Sequence, residues 1–467
     1  MNLTRLFSHR LIRVGFFLIV VISCFTSYGW YRNRDRCRNC NLIIISLDTQ
    51  RPDHMGIYGY ARNTTPNIDR WARDGAMIFT NVYTETPMTY PSFVSLMTGT
   101  YAVETGIFSN RVVTSADGEN VASVSAPLIP NSVKTLAEVL KENSYTTVAF
   151  NANPELSPVV SNIDRGFDEF NEAYKENYKD YEEKIVQKPI EFLKKNKDKK
   201  FFMWLHFIDP HTPYTPPKDF QCSFEKKFCD EITRKNVWTL EEERKELEGC
   251  KNAPIPNDRL ELYKSLYDDE IASNDAFVAK ILSAIEKEGL TKKTIVLLYS
   301  DHGEGFDHNY YFNHPSALFN STTKIVYILK NPKKKPGFYT ELTQNSDIFY
   351  TILFQLGLQR KIPTTTDYAY GVTLTKNAFS VTDGRYKYME FLPNTCNPTG
   401  KKEVLFDLST DPNEAVDILE KEPKKTNELK EALKKHWERE KINDSNEKQP
   451  TKAIHEDTID KIRNLGY

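Results

Sequence analysis

The sequence predicts an α/β protein. Its core is a largely parallel central sheet with helices on both faces, and a smaller strand-plus-helix subdomain follows at the C-terminal end. Three observations carry this. Asn41–Leu47 (NLIIISL), residues 200–207 and Thr294–Ser300 (TIVLLYS) are apolar at nearly every position and have strand length, the pattern of strands buried on both faces. Segments with helical periodicity separate them, and strands that alternate with helices build parallel sheets. Each run also stops on an acid or an imidazole: Asp48, then His206 with Asp209 and His211, then Asp301 with His302. Ligands of open α/β sheets gather at the carboxyl ends of the strands, so a site is expected there.

The elements follow in order. Residues 1–40 open with Arg5, Arg10 and Arg13, then a run from 14 to 23 that is apolar but for one Gly and one Ser. This is the layout of a targeting segment. A cleaved signal peptide, a lipoprotein signal at Cys24 and an uncleaved signal anchor of roughly 17 residues, near the lower limit for a span, all fit. Each places the rest of the chain outside the cytosol, secreted or membrane-anchored. Six further cysteines, Cys37, Cys40, Cys222, Cys229, Cys250 and Cys396, suit up to three disulfides in that setting. Cys37-x-x-Cys40 has no second ligand pair, so zinc is a weak reading of it.

Past the first strand, Gly56, Gly59 and Pro66 mark a loop, and residues 68–75 read as a short helix closed by Gly. Residues 77–83 are a second strand. Pro87 and Pro91 interrupt regular structure before a helix over 92–98, with Thr89, Tyr90 and Pro91 at its N-terminal lip. Helices are expected over 133–142, 174–195, 258–288 and 347–356, and further strands over 146–150 and 324–329. Residues 218–257, dense in charge and holding three cysteines, form an insertion. The tail adds strands in YKYMEF and EVLFDL and a helix around 425–440. The domain plan is a targeting segment and spacer (1–40), a catalytic domain (41–375) and a C-terminal subdomain (376–467). With 62 basic against 64 acidic residues, the chain has no general polyanion-binding character, and nucleic acid is excluded as a partner.

Acids and imidazoles delivered repeatedly by buried strands are costly to bury unpaired. Singly, Asp48 reads as a turn cap, Asp301-His302-Gly303 as a turn and His211 as a loop residue. Together they suit one divalent cation: Ca²⁺, Mg²⁺, Mn²⁺ or Zn²⁺. Arg51 and His54, at the exit of the first strand, are candidates for substrate oxygens; pairing with a structural carboxylate is the alternative for Arg51.

The series LDTQRPDHMGIYGY, TYPSFVSLMTG, HFIDPHTPY, YDDEIASND, YSDHGEGFDH and LFDLSTDPNE, closed by IRNLGY, resembles the sulfatase family of the alkaline phosphatase superfamily over residues 41–467. The resemblance implies that superfamily's fold and one divalent cation beside a nucleophile that attacks sulfur or phosphorus. Asp48, Asp301 and His302 match its metal ligands. His211 matches a residue that contacts the transferred group, and His314 a cationic position at the leaving oxygen. Many sulfatases follow the first Asp with a second; here that residue is Thr49. The family's C/S-x-P-S-R motif, whose Cys or Ser becomes formylglycine, reads Thr89-Tyr90-Pro91-Ser92-Phe93, and Thr89 lies 41 residues after Asp48. Threonine cannot yield formylglycine, so none is expected. Thr89 is the expected nucleophile and a fourth metal ligand, which favours phosphoester chemistry. Ser92 is an alternative hydroxyl, off register by three residues.

The reading is a metal-dependent hydrolase or transferase of sulfate or phosphate esters, with a small-molecule, glycan or lipid ester as substrate. Two alternatives stand beside it: a sulfuric ester hydrolase that works without formylglycine, and a non-catalytic binder of anionic glycans. Specificity is expected from loops 101–130, 218–257 and 305–316.

Overall fold

A computed structural model describes residues 36–108, 112–114, 123–174, 178–235, 237–359, 367–393, 395–443 and 451–453. The basic and apolar N-terminal segment lies outside the described residues. Among the described residues, no helix is long and apolar enough to cross a membrane.

The central sheet has eight strands: β1 (Asn41–Leu47), β2 (Met77–Phe79), β3 (Thr146–Asn151), β4 (Glu169–Glu172), β5 (Phe201–Phe207), β6 (Thr294–Ser300), β7 (Tyr327–Lys330) and β8 (Gly337–Tyr339). Their order across the sheet is β8-β2-β7-β6-β1-β5-β3-β4. β1 lies between β6 and β5 and is parallel to both. β7 runs antiparallel to β6 and to β2, so the sheet is parallel apart from that strand.

β1 is buried at all seven positions because its alternating side chains enter two different cores. Leu42 and Ile44 join one apolar cluster, and Ile43, Ile45 and Leu47 join the other. Helices α1 (Pro66–Arg73), α2 (Thr89–Thr98), α3 (Asn257–Lys287) and α4 (Asn345–Gln355) close the two faces. α2 and α4 supply Tyr90, Phe93, Leu96, Phe349 and Ile352 to the first cluster. α1 and the C-terminal half of α3 supply Ile68, Ala72, Phe277, Ile281 and Ile285 to the second. This three-layer packing explains why the strands carry no polar face.

Two expected strands are redrawn. The strand read over 77–83 divides at Thr80 and Asn81. Its second part, Val82–Tyr83, leaves the main sheet to pair with Thr343–Gln344, which carries residues 84–88 toward the strand ends. The strand read over 324–329 starts at Tyr327, because Asn320–Thr323 form a helical turn.

The carboxylates of α3 tie loops to the body. Asp275 accepts from the backbone N–H of Asn67 (3.1 Å) and Ile68 (2.7 Å) at the start of α1. Asp269 accepts from Cys222 (2.8 Å) and Ser223 (3.0 Å) in the insertion. A disulfide joins Cys37 to Cys40, which replaces the zinc reading of that pair, and another joins Cys250 to Cys396. Cys222 and Cys229 are unbridged.

An antiparallel sheet of β9 (Ala369–Val372), β10 (Ala378–Thr382), β11 (Tyr386–Phe391) and β12 (Glu403–Asp407) follows, with helix α5 (Pro423–Asn443). Lys387 on β11 and Glu414 form an ion pair at 2.8 Å in which each side chain is only 1% exposed. The Lys387 ammonium also donates to Asn320 Oδ1 (3.2 Å), and Glu414 accepts from the Asn320 N–H (2.6 Å). This charged knot docks the small sheet on the body. Lys387→Met, which strands a buried carboxylate, is expected to cost about 3–5 kcal/mol, read as a lower urea midpoint. The double variant Lys387→Met/Glu414→Leu should recover most of that loss.

Candidate active site and metal centre

The carboxyl ends of β1, β3, β5 and β6 and the N-terminus of α2 meet at one buried point. Asp48 follows β1, Asp301 and His302 follow β6, Asn153 lies two residues beyond β3, and His206 is the penultimate residue of β5. Thr89 is the first residue of α2, after an extended Met88. α2 stops at Gly99, whose φ of 72° is left-handed and whose missing Cβ would collide with Phe349 and Tyr350.

His302 Nδ1 donates to the Gly303 carbonyl at 3.0 Å, so its Nε2 presents a lone pair. That nitrogen lies 3.4 Å from Thr89 Oγ, 3.5 Å from Asp301 Oδ2 and 3.9 Å from Asp48 Oδ1. His206 is fixed in the same sense. Ser46 Oγ donates to the Leu205 carbonyl and accepts from Trp204 Nε1, so His206 Nδ1 donates to Ser46 Oγ at 3.0 Å. His206 Nε2 then faces Asp48 Oδ2 at 3.3 Å, lone pair toward carboxylate. Asp48 Oδ1, Asp301 Oδ2 and His206 Nε2 are buried without a hydrogen-bond donor. One ligand atom each from Asp48, His206 and Asp301 falls within 4.8 Å of the others.

Charge sharpens the point. Burial, reinforced by Asp301 nearby, pushes the Asp48 carboxyl well above its ordinary range. Burial raises Asp301 to about 7, against the pull of N–H donors from His302 and Thr49. Burial holds His206 and His302 down to about 3. Buried acids and neutral imidazoles with opposed lone pairs make an unfavourable set alone and a fitting one around a divalent cation.

All six residues expected from sequence converge here. His314 stacks on His302 with ring centres 4.0 Å apart. Its Nδ1 donates to the Pro87 carbonyl at 2.8 Å, and its Nε2 lies 3.4 Å from His211 Nε2. His211 Nδ1 donates to the Thr212 carbonyl at 2.6 Å. Two Nε2 lone pairs therefore confront each other, an arrangement that accommodates one shared proton. Burial, then mutual proximity, lowers the pKa of His211 to about 3.

The other candidates are placed elsewhere. Arg51 grips Asp53 at 2.7 and 2.9 Å and the Glu304 carbonyl at 2.9 Å, and His54 pairs with Asp268 at 2.7 Å. Arg51 takes the structural of its two sequence readings, and His54, expected only as a contact to substrate oxygens, is instead held by Asp268. Ser92 Oγ is committed to the Asp301 carbonyl at 2.7 Å.

Two residues acquire roles that sequence reasoning did not assign. His206 was visible as a strand-end imidazole, but which face it takes depends on pairing with Ser46 across β1 and β5. Asn153 left no signal. Its Oδ1 accepts from Glu155 N–H at 2.8 Å, which turns its amide nitrogen inward to donate to Asp48 Oδ2 at 2.6 Å and to lie 3.5 Å from Thr89 Oγ. Phe93, at the position of the motif's Arg, packs edge-on against His206 with ring centres 4.7 Å apart. Gly303 is obligatory, since a Cβ there would lie 2.0 Å from the Ser321 carbonyl oxygen.

A family profile described as Sulfatase matches residues 40–358. An arylsulfatase of Clostridium perfringens is 24% identical, over 67% of this chain and 74% of its own length. An N-acetylgalactosamine-6-sulfatase of Rattus norvegicus is 25% identical over 56% of this chain, which spans half of that relative's length. A solved structure in complex with its substrate D-glucosamine-2-N,6-O-disulfate superposes with a TM-score of 0.65 at 18% identity, over 88% of this chain and 99% of that one. A phosphonate monoester hydrolase of Agrobacterium radiobacter superposes with a TM-score of 0.63 at 17% identity, over 86% and 96%.

Divalent cations should raise the melting temperature of chelator-treated protein. Stabilisation of about 2.7 kcal/mol is expected at a hundredfold excess over Kd. Asp48→Asn and Asp301→Asn should abolish the shift. His206→Ala and Asn153→Ala should weaken cation affinity by about 10–100-fold, the scale seen for groups that orient a metal centre.

Proposed function

The chain belongs to the sulfatase family, whose members are sulfuric ester hydrolases, and we propose that it is a single-cation esterase with Thr89 as nucleophile and phosphoesters as its favoured substrates. The carrying observation is the hydroxyl of Thr89, 3.4 Å from His302 Nε2 beside two unpartnered carboxylate oxygens. Asp48, Asp301, His302 and Thr89 would hold the cation. His206 stands in for the second acid that Thr49 lacks. Bound there, a divalent cation supplies Lewis acidity that lowers the pKa of a hydroxyl and offsets negative charge on the transferred group.

The protein's own groups carry the remaining steps. Thr89 Oγ, its proton given up to solvent, attacks phosphorus or sulfur in line as the bond to the leaving oxygen breaks, and forms an ester to the enzyme. Asn153 keeps the attacking oxygen in register and Asp48 in one rotamer. The N-terminal N–H groups of α2 face the anion that gathers on Thr89. The His211–His314 pair, neutral when empty, takes up a proton beside an anionic substrate and gives it to the leaving oxygen. Water or an alcohol then resolves the Thr89 ester. The phosphonate monoester hydrolase likeness supports phosphorus as the reacting atom. The arylsulfatase relative supports sulfate esters as the competing substrate. The disulfides support an extracytoplasmic compartment.

Purified protein supplied with each candidate cation should turn over an aryl phosphodiester or phosphonate ester faster than an aryl sulfate. A clear preference for the sulfate would sink the phosphorus reading. Thr89→Ala should lower kcat by roughly 10³-fold or more, and Thr89→Ser should keep part of the activity and carry the trapped phosphoryl group on residue 89. His314→Ala should cost about 10²–10⁴-fold with alkyl leaving groups and much less with 4-nitrophenolate, which departs without a proton.

A further inference from the structure

A cavity of about 600 Å³ lies beside the Asp301–Glu304 loop, lined among others by Arg51, Tyr58, Asp307, His308, Lys324 and Phe338. None of the candidate metal ligands or the nucleophile lines it. Its charges can be matched one by one. Arg51 grips Asp53 at 2.7 Å and reaches Asp307 at 3.4 Å. His308 Nδ1 lies 2.8 Å from Asp307, and Lys387 neutralises Glu414. Lys324 is left over. Among the described residues its ammonium has neither an ion pair nor a hydrogen-bond partner. The ring of Tyr83 is 6.0 Å away. Burial and then the neighbouring Lys387 push its pKa down. An ammonium removed from water without a partner is costly and is relieved by an anion.

The rest of the wall sets the body of that anion. Ile57, Tyr58, Pro52 and Pro412 make an apolar side, and Phe338 on the edge strand β8 stands 62% exposed at the rim. The volume lies in the range of small-molecule sites. We propose that this cavity binds a small organic anion, with a carboxylate, sulfate or phosphate group on Lys324 and a ring-sized apolar body against Tyr58 and Phe338. With His308 protonated on Asp307, Arg51 on Asp53 and Lys387 on Glu414, one positive charge is left to satisfy at Lys324, which selects a ligand of low charge.

The test is isothermal titration of the full chain carrying Asp48→Asn, which removes the metal site as a competing anion receptor. The probes are benzoate, phenyl sulfate and phenyl phosphate. Saturable binding of at least one is expected, with Kd on the order of 1 mM or tighter. Lys324→Met in the same background should weaken it by about tenfold or more, and Lys324→Arg should retain it. Lys324→Met should also melt no lower than its parent, since an ammonium without a partner holds nothing in place. Three results would each overturn the proposal: no binding by any probe, undiminished binding by Lys324→Met, or a lower melting temperature for that variant.

Discussion

Three buried acceptors without a donor, Asp48 Oδ1, Asp301 Oδ2 and His206 Nε2, are the constraint on which the rest of the structure depends. No sheet places such a set at its centre for stability, because each atom loses its hydration and gains nothing in return. The surroundings work to keep it in place. The Ser46–Trp204 relay fixes the His206 tautomer, the Gly303 carbonyl fixes that of His302, and Asn153 holds Asp48 from the far side. The two apolar cores around β1 make the platform rigid. Local strain joins in: Thr49, a β-branched residue, is left-handed at φ 52° while its N–H donates to Asp301.

The departures from the formylglycine pattern form one connected change. On the motif resemblance, Thr89 stands at the position of the oxidisable residue, Phe93 at that of the motif's Arg and Thr49 at that of a second acid. Phe93 packs edge-on against the ring of His206, and His206 faces the Asp48 carboxylate, the residue that precedes Thr49. Asn153 touches both Asp48 and Thr89. An imidazole, an amide and a phenyl ring thus surround the two carboxylates, in contact with one another.

Much of this was legible in the sequence because burial on both faces leaves a plain signature. β1 and β6 could be read to their ends, and Asp48, Asp301 and His302 followed from where those strands stop. Thr89, His211 and His314 came from motif order. The parts that were not legible depend on contacts between distant segments. The sense of β7 is set by its pairing with β6 and β2. The orientation of His206 comes from a neighbour strand. Asn153 is aimed by Asn151, the last residue of β3, and by Glu155, in a polar turn that carries no periodicity. Arg51 and His54 looked like site residues because they follow Asp48, yet their carboxylate partners lie at Asp53, just beyond, and Asp268, far along the chain.

The loop that leads into Thr89 is held by the last part of the fold. The Glu85 carbonyl accepts from Val372 N–H at 2.8 Å, and the Glu85 carboxylate is met by His436 on α5 at 3.2 Å. These partners lie 287 and 351 residues downstream of Glu85. A chain made from its N-terminus therefore completes its central strands long before it can lock the segment that carries the nucleophile. The order of synthesis itself leaves the loop before Thr89 without these two partners until α5 has been made.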